Sequence, residues 1–160
     1  MKAVQRLLEP LRQRVMLMLG RAVLQVINDD AGLQRVQVSL LAKETRDSVE
    51  RFQQYGYTSH PHPGAEAAVM FLAGNRDHPI VIAIDDRRYR LQSLAEGEVA
   101  LYTDEDQSDG GHRIVLKRNQ EIEIHAGQKF TINVGSGAST LTMTPTGTKL
   151  VTPDFLAVQS

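Results

Sequence analysis

The sequence contains neither cysteine nor tryptophan. The first absence removes disulfides, thiolate catalysis and cysteine-ligated metals together, and it leaves the redox compartment open. Aromatic residues make up only 5% of the chain, so a large aromatic-lined substrate pocket is not expected. A surplus of either charge is also missing: 18 basic against 19 acidic residues give a formal charge of −1, with no bulk attraction to nucleic acid or to an anionic membrane. Near the amino terminus there is no long apolar run. Glu9, Arg12 and Arg14 interrupt the segment, and the stretch Val15 to Leu19 is too short for a signal core or a membrane span, so the chain is expected to be made without a secretory signal. What is present is 41% hydrophobic residues over 160 positions, enough to give cores to one domain or two small ones.

Those apolar residues follow three periods. In residues 1–19, Val4, Leu8, Leu11, Val15 and Met18 recur at a 4-3-4-3 spacing, which places them on one helical stripe. The stripe suits either a helix packed on its own domain or a short self-associating seam. Pro10 lies inside it, predicting a kink or a helix that begins near Glu9. From Gly20 to about Arg90 the period is two. "RAVLQVINDDAGLQRVQVSLL" reads as two strands around a turn at Asn28 to Gly32, with Val36, Val38 and Leu40 on one face. A polar segment, "AKETRDSVERFQQYGYTSHPHPG", precedes a second hairpin that turns at Gly74-Asn75-Arg76-Asp77. Two hairpins with an excursion between them suit a small barrel of about five strands of the OB type, and a small open sandwich would pattern similarly.

The last third repeats. Ile114 and Leu116 recur eight residues on as Ile122 and Ile124, and eight further as Phe130 and Ile132. After "VGSGAS" the alternation resumes at Leu141 and Met143, then more loosely at Leu150, Leu156 and Val158, with turn formers between the pairs. Strands with two inward apolar residues each cannot close a core from one chain, and their edges stay unpaired. A single-chain solenoid has longer coils than this, so identical chains wound together as a β-prism are expected, with Ile114, Leu116, Ile122, Ile124, Phe130, Ile132, Leu141 and Met143 on the shared axis.

Three chemistries compete with a structural role. His60 and His62 in "SHPHPG" could both face one ion, yet His78, His112 and His125 stand alone, and the stiff loop made by the neighbouring prolines accounts for the segment without a metal. Arg51, Phe52, Tyr55 and Tyr57 are the residues that would stack and clamp a single strand if the barrel bound nucleic acid. Asp85-Asp86 could serve a hydrolase, but before Arg87-Arg88 the pair reads as a turn with surface ion pairs. No nucleophile, phosphate loop or acid pair is defensible, so no catalytic, cofactor-binding or metal residue is assigned.

With "GRAVLQVINDD" opening the barrel, "RFQQYGYTSHPHPGAEAAVMFLAGNRDHPIVIAIDDRRYR" closing it, "GEVALYTDEDQSDGGHRIVLK" leading out and "EIEIHAGQKFTINV" starting the repeat, the chain resembles the Mu-type baseplate assembly protein V, the tail spike of contractile-tailed phages. The resemblance implies a mainly β chain: an N-terminal helix (1–19), an OB-fold-like domain (20–92) and an intertwined triple-stranded β-helix shaft (93–160) in a homotrimeric β-prism. It implies a non-enzymatic needle in the virion's tail baseplate, assembled in the host cytoplasm. The needle would attach to baseplate hub and tail tube proteins, contact the host outer membrane transiently as it pierces it on contraction, and recognise no nucleic-acid sequence. An OB-fold single-stranded nucleic-acid-binding module is the alternative. Spikes of this family end in an apex where a His-X-His motif from each chain binds iron. No such motif follows residue 113, so no cofactor is expected in this chain unless a tip follows Ser160. The closing "FLAVQS" reads as an interrupted shaft.

Overall fold

The computed structural model describes residues 2–30, 32–40, 44–107 and 111–154. The repeat positions Leu156 and Val158, with Phe155, lie outside them. Among the described residues the chain is mainly β, with one α-helix, α1 (Lys2–Met16), and eleven strands. It forms two compact units, Met1–Arg88 and Tyr89–Ser160.

In the first unit α1 runs through Pro10 rather than starting at it. Its last turn leads directly into β1 (Leu19–Asn28), which pairs with β2 (Arg35–Leu40), the hairpin expected from the alternation. The second expected hairpin is β4 (Glu66–Phe71) and β5 (Pro79–Asp85), joined through a 3-10 turn at Leu72–Gly74. The polar segment between them contributes a further strand, β3 (Thr45–Arg51), antiparallel to β2 and parallel to β5. With β1 also paired to β4, the five strands close a barrel in the order β1-β2-β3-β5-β4. Closure rather than an open sandwich follows from the β3-β5 pairing, which leaves no free edge.

Three register shifts bend this sheet. They fall between Leu24 and Val26 on β1, between Val36 and Val38 opposite Ser48 of β3, and between Ala68 and Val69 opposite Ile82 of β5. An extra residue on one strand raises the local twist and curls the ribbon, which a narrow barrel requires. Ser48 takes the left-handed conformation, φ 55°, to accommodate its bulge. The interior is small and aliphatic: Leu24, Val36, Val38, Val49, Val69 and Val81 surround Phe71, the largest side chain buried there. At about 1.5–3 kcal/mol for each buried Val, Leu or Phe side chain, these residues hold the barrel closed. Gly20 lies against the same ring, where an added Cβ would stand 3.2 Å from Phe71 Cε2.

The second unit holds two three-stranded antiparallel meanders. The first is β6 (Val99–Tyr102), β7 (Arg113–Leu116) and β8 (Ile122–His125). The second is β9 (Phe130–Val134), β10 (Ser139–Thr144) and β11 (Gly147–Val151). Turn residues fall where φ must be positive, at Asn119 and Gln120 and at Gly135, Ser136 and Gly137.

Candidate functional site

Strand register decides which repeat residues share a face. In the first meander Val99 stands opposite Leu116, which stands opposite Ile122; in the next row Leu101, Ile114 and Ile124 align. Directly opposed residues project to the same side, so these six apolar side chains form one face. All six are exposed in the single chain, Ile122 to 69% and Ile124 to 50%. The residue between Ile114 and Leu116, Val115, is 5% exposed, so the chain covers the opposite side of β7 and leaves the isoleucine side bare. The second meander repeats the arrangement: Ile132, Leu141 and Leu150 form one row, and Phe130, Met143 and Thr148 the next. Phe130 and Leu141 are half-buried, while Ile132, Met143 and Leu150 are exposed. The structure thus brings Ile114, Leu116, Ile122 and Ile124 onto one face and Phe130, Ile132, Leu141 and Met143 onto another. It adds Val99 and Leu101, which sequence reasoning did not assign, and brings in Leu150, which the repeat reached only loosely. The signal for the first two lay in the pairing partners, since "EVALY" alternates too briefly to stand out.

The other face of the first meander is charged. Arg113 lies opposite His125, and Val115 opposite Glu123. Arg113 donates to both oxygens of the buried Asp106 carboxylate at 3.1 and 3.3 Å. Lys117 Nζ is 3.2 Å from Glu123, and His125 Nε2 is 3.5 Å from the same carboxylate. Lys117, followed by the nearby His125 ring, holds the Glu123 carboxyl below its usual range, and Glu123 in turn raises Lys117.

In the barrel, Arg51 does not face solvent beside Phe52, Tyr55 and Tyr57. It is 8% exposed and spent inward, donating through Nη1 to Gln34 Oε1 at 2.5 Å and to the Ser59 carbonyl at 2.7 Å, and through Nη2 to Ser59 Oγ at 2.7 Å. Burial pulls its pKa down, and the charges of Asp29 and then Tyr57 oppose that. The contact clamps the loop that follows β3 onto the barrel. No other lysine or arginine lies between Phe52 and Ala65, so the three exposed aromatics have no cation beside them in that segment. Arg51→Ala should therefore destabilise the first unit by ~2–4 kcal/mol, because Gln34 and Ser59 lose their donor while partly buried. Urea unfolding measures the loss, and faster proteolysis within 52–64 would accompany it.

His60 and His62 are both exposed on the clamped loop. Among the described residues no group of three or more His, Asp or Glu side chains is placed to hold a metal. Asp86 is taken up by Arg88, with Nε at 2.8 Å from Oδ1 and Nη2 at 2.6 Å from Oδ2, and these bonds keep its carboxyl below the usual range. Arg88 also donates to the Pro63 carbonyl at 2.9 Å, and Arg87 pairs with Glu66 at 2.7 Å. This is the turn with ion pairs that the sequence suggested, and it braces the His-Pro loop.

Residues 21–88, nearly the whole barrel, match the family described as Bacteriophage Mu Gp45, N-terminal. The chain is 42% identical over 138 residues to the baseplate puncturing device gp45 of Escherichia phage Mu, covering 82% of this chain and 68% of that protein. It is 39% identical over 132 residues to the Mu-like prophage FluMu protein gp45 of Haemophilus influenzae, covering 82% of this chain and 69% of the relative.

Proposed function

The chain belongs to the bacteriophage Mu gp45 family, and on that footing we propose that it is a structural spike in the tail baseplate of a contractile phage tail or a related injection system. In this reading three copies wind their strand repeats into one triple-stranded β-helix, the OB-type barrels attach to the hub and tube, and contraction drives the shaft through the host outer membrane. It performs no catalysis. The observation that carries the reading is the pair of bare apolar sheet faces in residues 99–150. A stable soluble protein rarely leaves contiguous apolar area of this kind exposed, and identical neighbours provide the matching surface. The domain division at 1–19, 20–92 and 93–160 belongs to the same proposal, as does the axial placement of Ile114, Leu116, Ile122, Ile124, Phe130, Ile132, Leu141 and Met143. His60 and His62 lie on the loop between β3 and β4, and no apex iron is assigned to them.

Light scattering on the full chain tests this. The expected mass is three times 17.8 kDa, and a monomer would overturn the spike reading.

A further inference from the structure

The loop that Arg51 clamps presents Phe52, Tyr55 and Tyr57 to solvent, Tyr55 along its whole side chain. It lies beside the turn between β1 and β2. Gln34 joins the two, its Nε2 donating to Asp29 Oδ1 at 2.8 Å and to the Ser59 carbonyl at 3.2 Å, and the charges of Asp29 and Tyr57 both act on Arg51. Asp29 and Asp30 are exposed. No lysine or arginine occurs from Ala22 to Gln34 or from Phe52 to Asn75. Arg51 is turned inward, and Arg88 meets the loop at Pro63 with its guanidinium held by Asp86. The surface is therefore aromatic and acidic, and the clamp fixes its shape in advance of any partner.

The helix α1 carries the complement. Leu8, Leu11 and Val15 follow the 3-4 spacing of one stripe, and all three are more than half exposed. On a helical projection Arg12 flanks the stripe on one side and Arg14 on the other, both exposed. Four basic residues, Lys2, Arg6, Arg12 and Arg14, stand against Glu9 alone. The last turn is fixed in place: the Arg14 carbonyl passes so close to Gly74 that an added Cβ would stand 2.5 Å from it, an approach that Gly74 permits at φ 71°. Each surface supplies what the other lacks, cations for rings and carboxylates, apolar side chains for apolar side chains. Their exposure shows that they do not meet within one chain. Stripe against stripe would crowd the arginines, and a phosphate backbone on the loop would meet Asp29 and Asp30.

We propose that α1 of one copy docks on the aromatic loop of a neighbouring copy of this chain, with Leu8, Leu11 and Val15 against Phe52, Tyr55 and Tyr57, and Arg12 and Arg14 answering the rings and Asp29 and Asp30. The contact is heterologous, helix to loop, so three copies close a ring in which every helix and every loop is occupied. This rests on the three-copy part of the spike reading. Each contact is weak alone and becomes effective when the shaft holds the barrels at high local concentration.

Because the chain has no cysteine, introduced thiols report contacts without background. The full-length chain with Leu8→Cys and Gln54→Cys, which keeps Leu11, Val15 and all three rings, is treated with a short bismaleimide and run on a denaturing gel. Covalent dimers and trimers are expected from this double variant and from neither single variant. Dimers from Leu8→Cys alone would mean that stripe meets stripe, and dimers from Gln54→Cys alone that loop meets loop. Either result overturns the proposal, as does a link closed within one chain, which migrates faster than the linear monomer. Adding Arg12→Glu and Arg14→Glu should cut the covalent yield at least about 5-fold while the shaft keeps the trimer mass, and an unchanged yield overturns the charge pairing. Light scattering separates this contact from the reading beneath it. A trimer that gives no link between positions 8 and 54 removes the helix-to-loop contact and leaves the spike reading standing, whereas a monomer removes both.

Discussion

Aspartate at Ile124 or at Ile132 should abolish the trimer, leaving monomers or aggregates by light scattering. The two positions lie in different sheets, each at one end of a row of apolar residues: Leu101 and Ile114 in the row of Ile124, Leu150 and Leu141 in the row of Ile132. If those rows face a common axis, each substitution brings three carboxylates together in a dry interior. Desolvation costs several kcal/mol per ion, and like charges at short range add to it. In a lone chain both positions are exposed, so the same change would be nearly neutral. The size of the effect separates the two situations. Variants that remain trimers with unchanged thermal stability would put these side chains in solvent and remove the shared axis.

The second large effect concerns the two units taken apart. A fragment of residues 89–160 should form a trimer that resists heat and detergent and unfolds slowly, because interwound chains separate only by breaking many backbone pairings at once. A fragment of residues 1–88 should sediment as a folded monomer or weak oligomer. Its barrel has a complete apolar interior and needs no partner to close it, so any association would rest on the short stripe of α1. A trimeric barrel fragment beside a monomeric repeat would invert this division of labour.

The barrel's hairpins were legible because Val36, Val38 and Leu40, then Ala67, Val69 and Phe71, alternate strictly with exposed or half-exposed neighbours. β3 was not legible. It offers a single apolar residue to the interior, Val49, and its bulge at Ser48 breaks the alternation that would have announced a strand. Its second inward residue is Arg51, whose burial depends on Gln34 and Ser59, partners distant in the chain. No local pattern reveals that an arginine beside three aromatics turns away from them. In the repeat, the alternation of Ile122, Phe130 and Leu141 with polar residues announced one apolar face per strand, and the register then showed that these faces align into rows, Ile114 among them. Val99 and Leu101 joined them only through pairing with Leu116 and Ile114.

The side of β9-β10-β11 opposite the apolar rows carries Thr131, Thr142 and Lys149 in one row and Asn133, Thr140 and Val151 in another. One residue in those rows is charged. Should that surface cross a lipid layer, its hydroxyls each give up water at about 2–7 kcal/mol when left unpaired, whereas an ion would cost tens. The β6-β7-β8 meander, with Arg113, Glu123 and His125 on the corresponding side, has no such advantage. If the shaft enters a lipid layer as proposed, charge along the chain would grade the cost of entry, lower for the strands clad mainly in threonine and higher for the strands that carry Arg113 and Glu123.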